Sequence, residues 1–331
     1  MGESNHLYRN DGNGTFSEVG AAAGVDDSRL SRGIGWGDYN NDGNLDIYVA
    51  NAFNDDNRLY RNNGDGSFTD VAPQAGVSDG GQGQAAVWED FDQDGDADLF
   101  LTDSDTSMKL YNNNGDGTFT NITSPVGLGG NSKIHGVALG DFDNDQDLDI
   151  YLCDMGAGRL YRNNGNTSFT IITNPFGGAV PQYSGDAAWS DVDNDGWLDL
   201  YVVDQTGQDM LYRNNGNSTF TELRALAGIN GLGKWFGLGF GDYDNDGDLD
   251  LYAPVISGAD RLYRNESNSN GWLHLKLIGS PSNRSAIGAR VVAVTGLRQQ
   301  VRTVDGGSGL FTQGSLPVEF GLGSSSLVDS V

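Results

Sequence analysis

Five short stretches of the chain carry carboxylates at a spacing suited to a hard cation. GDYDNDGDLDLY, from Gly241, sets Asp242, Asp244, Asp246, Asp248 and Asp250 at every second position. Counted from the first aspartate, positions 1, 3, 5 and 9 hold a side-chain oxygen in all five copies. The first copy offers Asp38, Asn40, Asp42 and Asp46, the second Asp90, Asp92, Asp94 and Asp98. The third offers Asp141, Asp143, Asp145 and Asp149, and the fourth Asp191, Asp193, Asp195 and Asp199. Position 7 varies as Asn44, Asp96, Asp147, Trp197 and Asp248. An indole has no oxygen to give, so that position is expected to contribute its backbone carbonyl. Position 6 is glycine except for Gln146 in the third copy, as a sharp backbone turn requires.

Alternate oxygens, a carbonyl at 7 and a glycine at 6 reproduce the ligand order of an EF-hand loop, here shortened and closed by the aspartate at 9. Donors of this kind and number suit Ca²⁺, whereas Zn²⁺ would draw on His or Cys and Mg²⁺ demands a stricter octahedron. One Ca²⁺ per loop, five in all, is therefore expected. A divalent ion also explains how the chain tolerates such crowding, since bare carboxylates would repel one another or protonate. A solvated acidic turn would have no need of the glycine and carbonyl positions. The loops are flanked by strand-like runs and not by the helices of an EF-hand. A closed structural site is thus expected, neither a sensor nor a catalytic metal. Asn40 and Asn44 weaken the first site and Gln146 burdens the third, so these two should empty first.

The formal charge is −27, from 46 acidic and 19 basic residues. The loops hold 22 of the acids at their alternate positions, which leaves 24 against the 19 basic residues, an ordinary surface balance. The acidity is local, and it argues against nucleic acid or an anionic membrane as partner. No apolar run reaches 18 residues, so no membrane insertion is expected. MGESNHLYRN lacks the apolar centre of a signal peptide, and any export signal would have been removed beforehand. Cys153, the single cysteine, lies in the apolar run DIYLCDM and reads as a buried strand residue.

A second motif shows what positions the loops. LYRN or LYNN begins at Leu7, Leu59, Leu110, Leu160, Leu211 and Leu262, in steps of 52, 51, 50, 51 and 51 residues. The acidic loops keep the same step. Each unit reads as four short strands, as in AAVWEDF, DLFLTD, KLYNN and TFTNIT, bounded by Gly, Asn and Asp. Four-stranded units of about 50 residues have the size of a propeller blade. The expected fold is an all-β propeller of six four-stranded blades, with seven blades or a truncated larger ring as alternatives. Residues 7–22 supply half a unit, and GWLHLKLIG can serve as fourth strand of the fifth unit. ARVVAVTG and QQVRTVDG would then complete a sixth blade shared by both termini. Residues 1–270 are thus read as propeller repeats and 271–331 as a distinct segment that contributes strands to closure.

The repeats resemble the FG-GAP or VCBS repeats of calcium-binding propellers, the class that also builds integrin α-subunit heads. WLHLKLIGSPSNRSAIGARV, from Trp272, and GGSGLFTQGSLPVEFGLG, from Gly306, are similar to the ASPIC/UnbV domain of the cartilage acidic protein family. The resemblance implies a secreted or surface-exposed protein, adhesive or matrix-associated.

Candidate catalytic groups are sparse. His6, His135 and His274 occupy unrelated places in their units, and GINGLGKW, from Gly228, has Trp where a P-loop needs Ser or Thr. GGSGL lacks the last glycine of a nucleophile elbow. Arg9, Arg61, Arg162, Arg213 and Arg264 recur in LYRN and are expected to pair with loop carboxylates. Trp36, Trp88, Trp189 and Trp235 precede the loops and are expected to fill the core between blades. A monomeric, calcium-stabilised extracellular scaffold that binds a protein or glycan is the expected function. A carbohydrate-active enzyme working at the propeller axis is the alternative, and non-loop carboxylates, His or Tyr converging there would favour it.

Overall fold

The computed structural model describes the chain except residues 1–3, 106–107, 130–132, 157, 166–167, 179, 182, 230–236, 256–258, 267–269, 308 and 311–313. Each repeat folds as an antiparallel meander. The first sheet runs Ser31–Gly37, Asp46–Asn51, Arg58–Asn62 and Phe68–Asp70. The second runs Gly83–Glu89, Asp98–Asp103, Lys109–Asn113 and Phe119–Asn121. The third comprises Ile134–Gly140, Asp149–Asp154, Arg159–Asn163 and Phe169–Ile171, and the fourth Ser184–Ser190, Asp199–Asp204, Met210–Asn214 and Phe220–Glu222. A fifth has three strands among the described residues, Gly239–Gly241, Asp250–Ala253 and Arg261–Tyr263. One-turn helices, Gly20–Ala23 and Ala72–Ala75, follow the N-terminal hairpin and the first sheet.

The residue pattern explains the stacking. Strands sandwiched between two sheets read as unbroken apolar runs, and DLFLTD is buried at all its positions. The short outer strands alternate, as in Phe119–Asn121, where only the phenylalanine is buried. Four cores join successive sheets, among them Tyr48, Leu59, Trp88, Leu99 and Tyr111 between the first two. The N-terminal hairpin, Tyr8–Asn10 with Phe16–Glu18, packs on the first sheet through Leu7, Val25, Ile47 and Tyr60. The sheets therefore follow one another around an arc, as blades do.

The two ends of that arc are bare. Leu262 is 52% exposed and Tyr252 46%, although their counterparts Leu59 and Tyr48 are at 0% under the next sheet. Tyr8 and Phe16, at 59% and 64%, are bare on the hairpin's outer side.

The tail departs from the sequence reading. Gly271–Leu275 does not extend the fifth sheet but pairs with Val318–Gly323, 43 or more residues further on in the chain. Arg290–Thr295 and Arg298–Thr303 form their own hairpin, and among the described residues no tail strand pairs with the N-terminal hairpin. The physical reason is a separate core, in which Val291, Ala293, Val304, Val318, Phe320 and Leu322 bury one another. From this small domain Gly306 and Leu310 reach into the arc. Trp36 donates its backbone N–H to Gly306 O at 3.2 Å, and Leu310 is buried with Val87 and Val137.

Candidate metal centres

Each acidic loop joins the first and second strands of its sheet, so all five open on one face. Their backbone follows one plan. The position-1 carboxylate accepts the N–H of position 5 at 3.0–3.1 Å and of position 6 at 2.8–3.1 Å. Position 5 accepts the N–H of position 7 at 2.8–3.0 Å. These bonds curl the loop around its own carboxylates. Position 6 pays for the curl with a left-handed backbone, φ +88° at Gly43 and +80° at Gln146, the one non-glycine there.

Position 9 ties the loop to the sheet. Asp46, Asp98, Asp149, Asp199 and Asp250 each accept the N–H of position 2 and, at 2.7–2.8 Å, that of the asparagine ending LYRN or LYNN. That asparagine, which sequence reasoning passed over, also crosses between sheets. Asn113, Asn214 and Asn265 donate from Nδ2 to the position-2 carbonyl of the preceding loop, Tyr39, Phe142 and Val192, at 2.7–2.8 Å. Its recurrence 14–16 residues after position 9 in all five units was the available signal.

Carboxylate oxygens converge inside four loops. Asp90, Asp92 and Asp94 each offer one oxygen within 4.8 Å of the others, as do Asp141, Asp143 and Asp149, Asp191, Asp193 and Asp199, and Asp242, Asp244 and Asp246. The first loop has Asn40 where the others carry a third-position carboxylate and does not form such a carboxylate triplet with Asp38, Asp42 and Asp46. Two of the carboxylates in these clusters keep an oxygen unsatisfied. Asp143 Oδ1 and Asp244 Oδ1 are buried without a hydrogen-bond partner, while their Oδ2 atoms face Arg162 Nε at 3.2 Å and Arg264 Nε at 2.8 Å. Burial first, and then the neighbouring carboxylates, pushes Asp46, Asp98, Asp141 and Asp191 up to about 7 and Asp143 to about 6. All-oxygen donors with unpartnered atoms fit a hard cation, and these clusters could hold metal ions.

The other sequence-predicted residues divide. Asp96, Asp147 and Asp248 turn their carboxylates to the neighbouring loop, accepting from Asn41, Gln93 and Asn194 at 2.7, 2.8 and 3.0 Å. Trp197 lies under the Arg298 guanidinium, 5.0 Å from its ring centroid. Arg162 and Arg264 pair with position-3 and position-5 carboxylates, and Arg9 pairs with Asp11. Among the described residues no such ion pair is formed by Arg61 or Arg213. Trp88 and Trp189 stack on Tyr39 and Phe142 between sheets, Trp36 packs beside the hairpin, and Trp235 lies outside the described residues, as does most of GINGLGKW. Cys153 is fully buried in its strand, and burial pushes its thiol up. His135 is pushed down by burial, and His274 stands 3.7 Å from Asp242.

The tail sits over the loop face, which the sequence did not disclose. Arg290 Nη2 donates to Gln146 O at 2.9 Å, Asn270 Nδ2 to Asp193 O at 2.7 Å and Gly323 N to Asn194 O at 2.8 Å. Arg298 Nη1 donates to Asp195 O. The fourth loop is the most enclosed, and its position-7 tryptophan supplies the seat for Arg298.

The FG-GAP-like repeat model matches residues 2–49, 38–101, 90–152, 141–202 and 191–253. The ASPIC and UnbV model matches residues 279–331. Cartilage acidic protein 1 of Homo sapiens is 28% identical over 321 residues, covering 92% of this chain and 41% of that protein. The Mus musculus protein of that name is also 28% identical, with 92% and 42% covered. The chain thus spans about two fifths of the length of these relatives. A solved Agrocybe aegerita lectin specific for non-reducing terminal N-acetylglucosamine is similar at 18% identity and a TM-score of 0.48, over 80% of this chain and 75% of that one.

Proposed function

The chain belongs to the FG-GAP-like repeat family and ends in an ASPIC and UnbV domain, and from that premise we propose that it is a calcium-stabilised extracellular scaffold for a protein or glycan partner. The observation that carries the reading is the pair of buried, unpartnered oxygens, Asp143 Oδ1 and Asp244 Oδ1, in loops built of hard donors. Ca²⁺ would neutralise the carboxylates that burial otherwise drives toward protonation. The ligands would be positions 1, 3, 5 and 9 with the carbonyl of position 7, one ion per loop, the first and third sites the weakest. The name of the cartilage acidic relatives supports an extracellular place. No helix among the described residues is long and apolar enough to cross a membrane.

The tail occupies the loop face, so a partner would meet the opposite one, where the second and third strands are joined. Phe53 and Met155 are exposed on those connections, and Tyr183 is exposed just before the first strand of the fourth sheet. An acidic surface disfavours nucleic acid, and the chain is read as a monomer. The two bare faces of the arc favour a ring of more than six blades, because in a six-blade ring the hairpin and the fifth sheet would cover each other.

One observation speaks for an enzyme. Arg302, Asp305, Glu319 and Ser315 line a cavity of about 140 Å³ beside Trp189. Their polar atoms are already engaged: Glu319 accepts from Ser315, Asp305 from Gly307 N, and Arg302 donates to the carbonyls of Glu319 and Val301. That bonding suits a structural plug better than a catalytic site. The test is binding of glycans and matrix proteins in Ca²⁺ buffer by the wild type and by Phe53→Ala with Tyr183→Ala. Retention lost in the variant supports the scaffold. Calcium-dependent turnover of a glycan, abolished by Glu319→Gln, would replace it with the enzyme.

A further inference from the structure

Position 4 of the acidic loop keeps the same backbone conformation in every copy. Asn41, Gln93, Asn144, Asn194 and Asn245 all stand in the left-handed region, with φ of 56°, 59°, 57°, 53° and 60°. All five carry a side-chain amide, long enough to leave its own loop. In four copies it lands on the next one. Asn41 Nδ2 donates to Gly95 O at 3.2 Å and to Asp96 Oδ1 at 2.7 Å. Gln93 Nε2 donates to Gln146 O at 3.3 Å and to Asp147 Oδ1 at 2.8 Å. Asn194 Nδ2 donates to Gly247 O and Asp248 Oδ1, both at 3.0 Å. Asn144 reaches only Gly196 O, at 3.0 Å, because Trp197 offers no oxygen at position 7.

The acceptors are the carbonyl of position 6 and the side chain of position 7, both next to the position-7 carbonyl that is the expected ligand. A cation that held that carbonyl would restrain the residue at position 7 and so fix the acceptor for the loop before it. The amide, once held, steadies position 4 between two ligand positions, 3 and 5. We infer that the position-4 amides are positioning residues that couple neighbouring cation sites, so that the loops fill cooperatively along the arc. The coupling rests on the calcium reading above and is reciprocal, since a site that strengthens its neighbour is strengthened by it to the same degree. Asn245 ends the series: it is exposed, and among the described residues no further loop supplies its acceptor.

That end provides the control. Asn41 and Asn245 share backbone conformation and exposure, and glycine accepts φ near +60° without strain, so Asn41→Gly and Asn245→Gly differ only in whether a cross-loop bond is lost. Calcium binding is followed by titration against a chromophoric chelator in the intact chain, with circular dichroism at saturating Ca²⁺ to verify the fold. In the wild type, Asp94→Asn in the second loop should weaken binding at the first loop about fivefold, a typical coupling factor. In the Asn41→Gly background the same Asp94→Asn should leave the first loop unaffected, and in the Asn245→Gly background the fivefold effect should persist. Equal transmission in both backgrounds overturns the coupling while leaving the calcium reading intact. Absence of calcium binding in the wild type overturns both.

Discussion

Replacement of Asn214 by alanine should destabilise the protein far more than the same change at Asn62, although both end the same motif. Asn214 is buried, donates to Phe142 O at 2.8 Å and Leu198 O at 3.1 Å, and accepts from Gly216 N at 2.9 Å. Asn62 makes the counterparts of the last two bonds, to Leu45 O at 3.1 Å and from Gly64 N at 3.0 Å, at a partly exposed position. A buried group left unpaired costs about 1–3 kcal/mol. Asn214→Ala strands two such groups and a third, Gly216 N, that is only partly buried, so a loss of about 3–5 kcal/mol follows. At Asn62 water can reach the freed groups, and a loss of about 1 kcal/mol is expected. Urea unfolding at saturating Ca²⁺, read by tryptophan fluorescence, measures both. Equal losses at the two positions would refute the idea that this asparagine staples one blade to the next.

Three further outcomes follow from the same coordinates. Gln146→Gly should raise stability by about 1 kcal/mol, seen as a higher melting temperature, because Gln146 holds φ +80° without glycine's freedom. Arg298→Ala should loosen the tail from the fourth loop, where it lies 5.0 Å over Trp197, and hasten proteolysis after residue 270 at native temperature. Asp305 is pushed up to about 6 by burial, so its contribution is full below its ordinary value of 3.8 and is lost as pH rises through 6. Asp305→Asn should therefore stabilise relative to wild type at pH 8 and much less at pH 4, in paired melting curves.

The period, the strand runs and the loop carboxylates were legible because they are local and repeated. Trp88 and Trp189 could be placed between blades for the same reason, as large apolar residues at a fixed step before the loop. The strands of the tail were misplaced, although its likeness to an ASPIC and UnbV domain was legible. GWLHLKLIG has the alternation of a fourth strand, and only its pairing with Val318–Gly323 reveals a separate core. Contacts such as Arg298 to Asp195 and Arg290 to Gln146 span 103 and 144 residues and leave no trace in local pattern. Position 4 was visible as a recurrent amide, yet its meaning depended on a left-handed backbone that composition does not report. The tryptophan at position 7 of the fourth loop looked like a defect and becomes intelligible under Arg298.

Direct counting of ions tests calcium stabilisation most closely. Native mass spectrometry of the intact chain, combined with melting curves in buffered Ca²⁺ and after EDTA, should find five bound Ca²⁺ ions, one for each acidic loop. Their removal should lower the melting temperature by tens of degrees, since 22 clustered carboxylates then lose their counter-charge. A chain shown to be free of metal that melts where the loaded one does would contradict the claim.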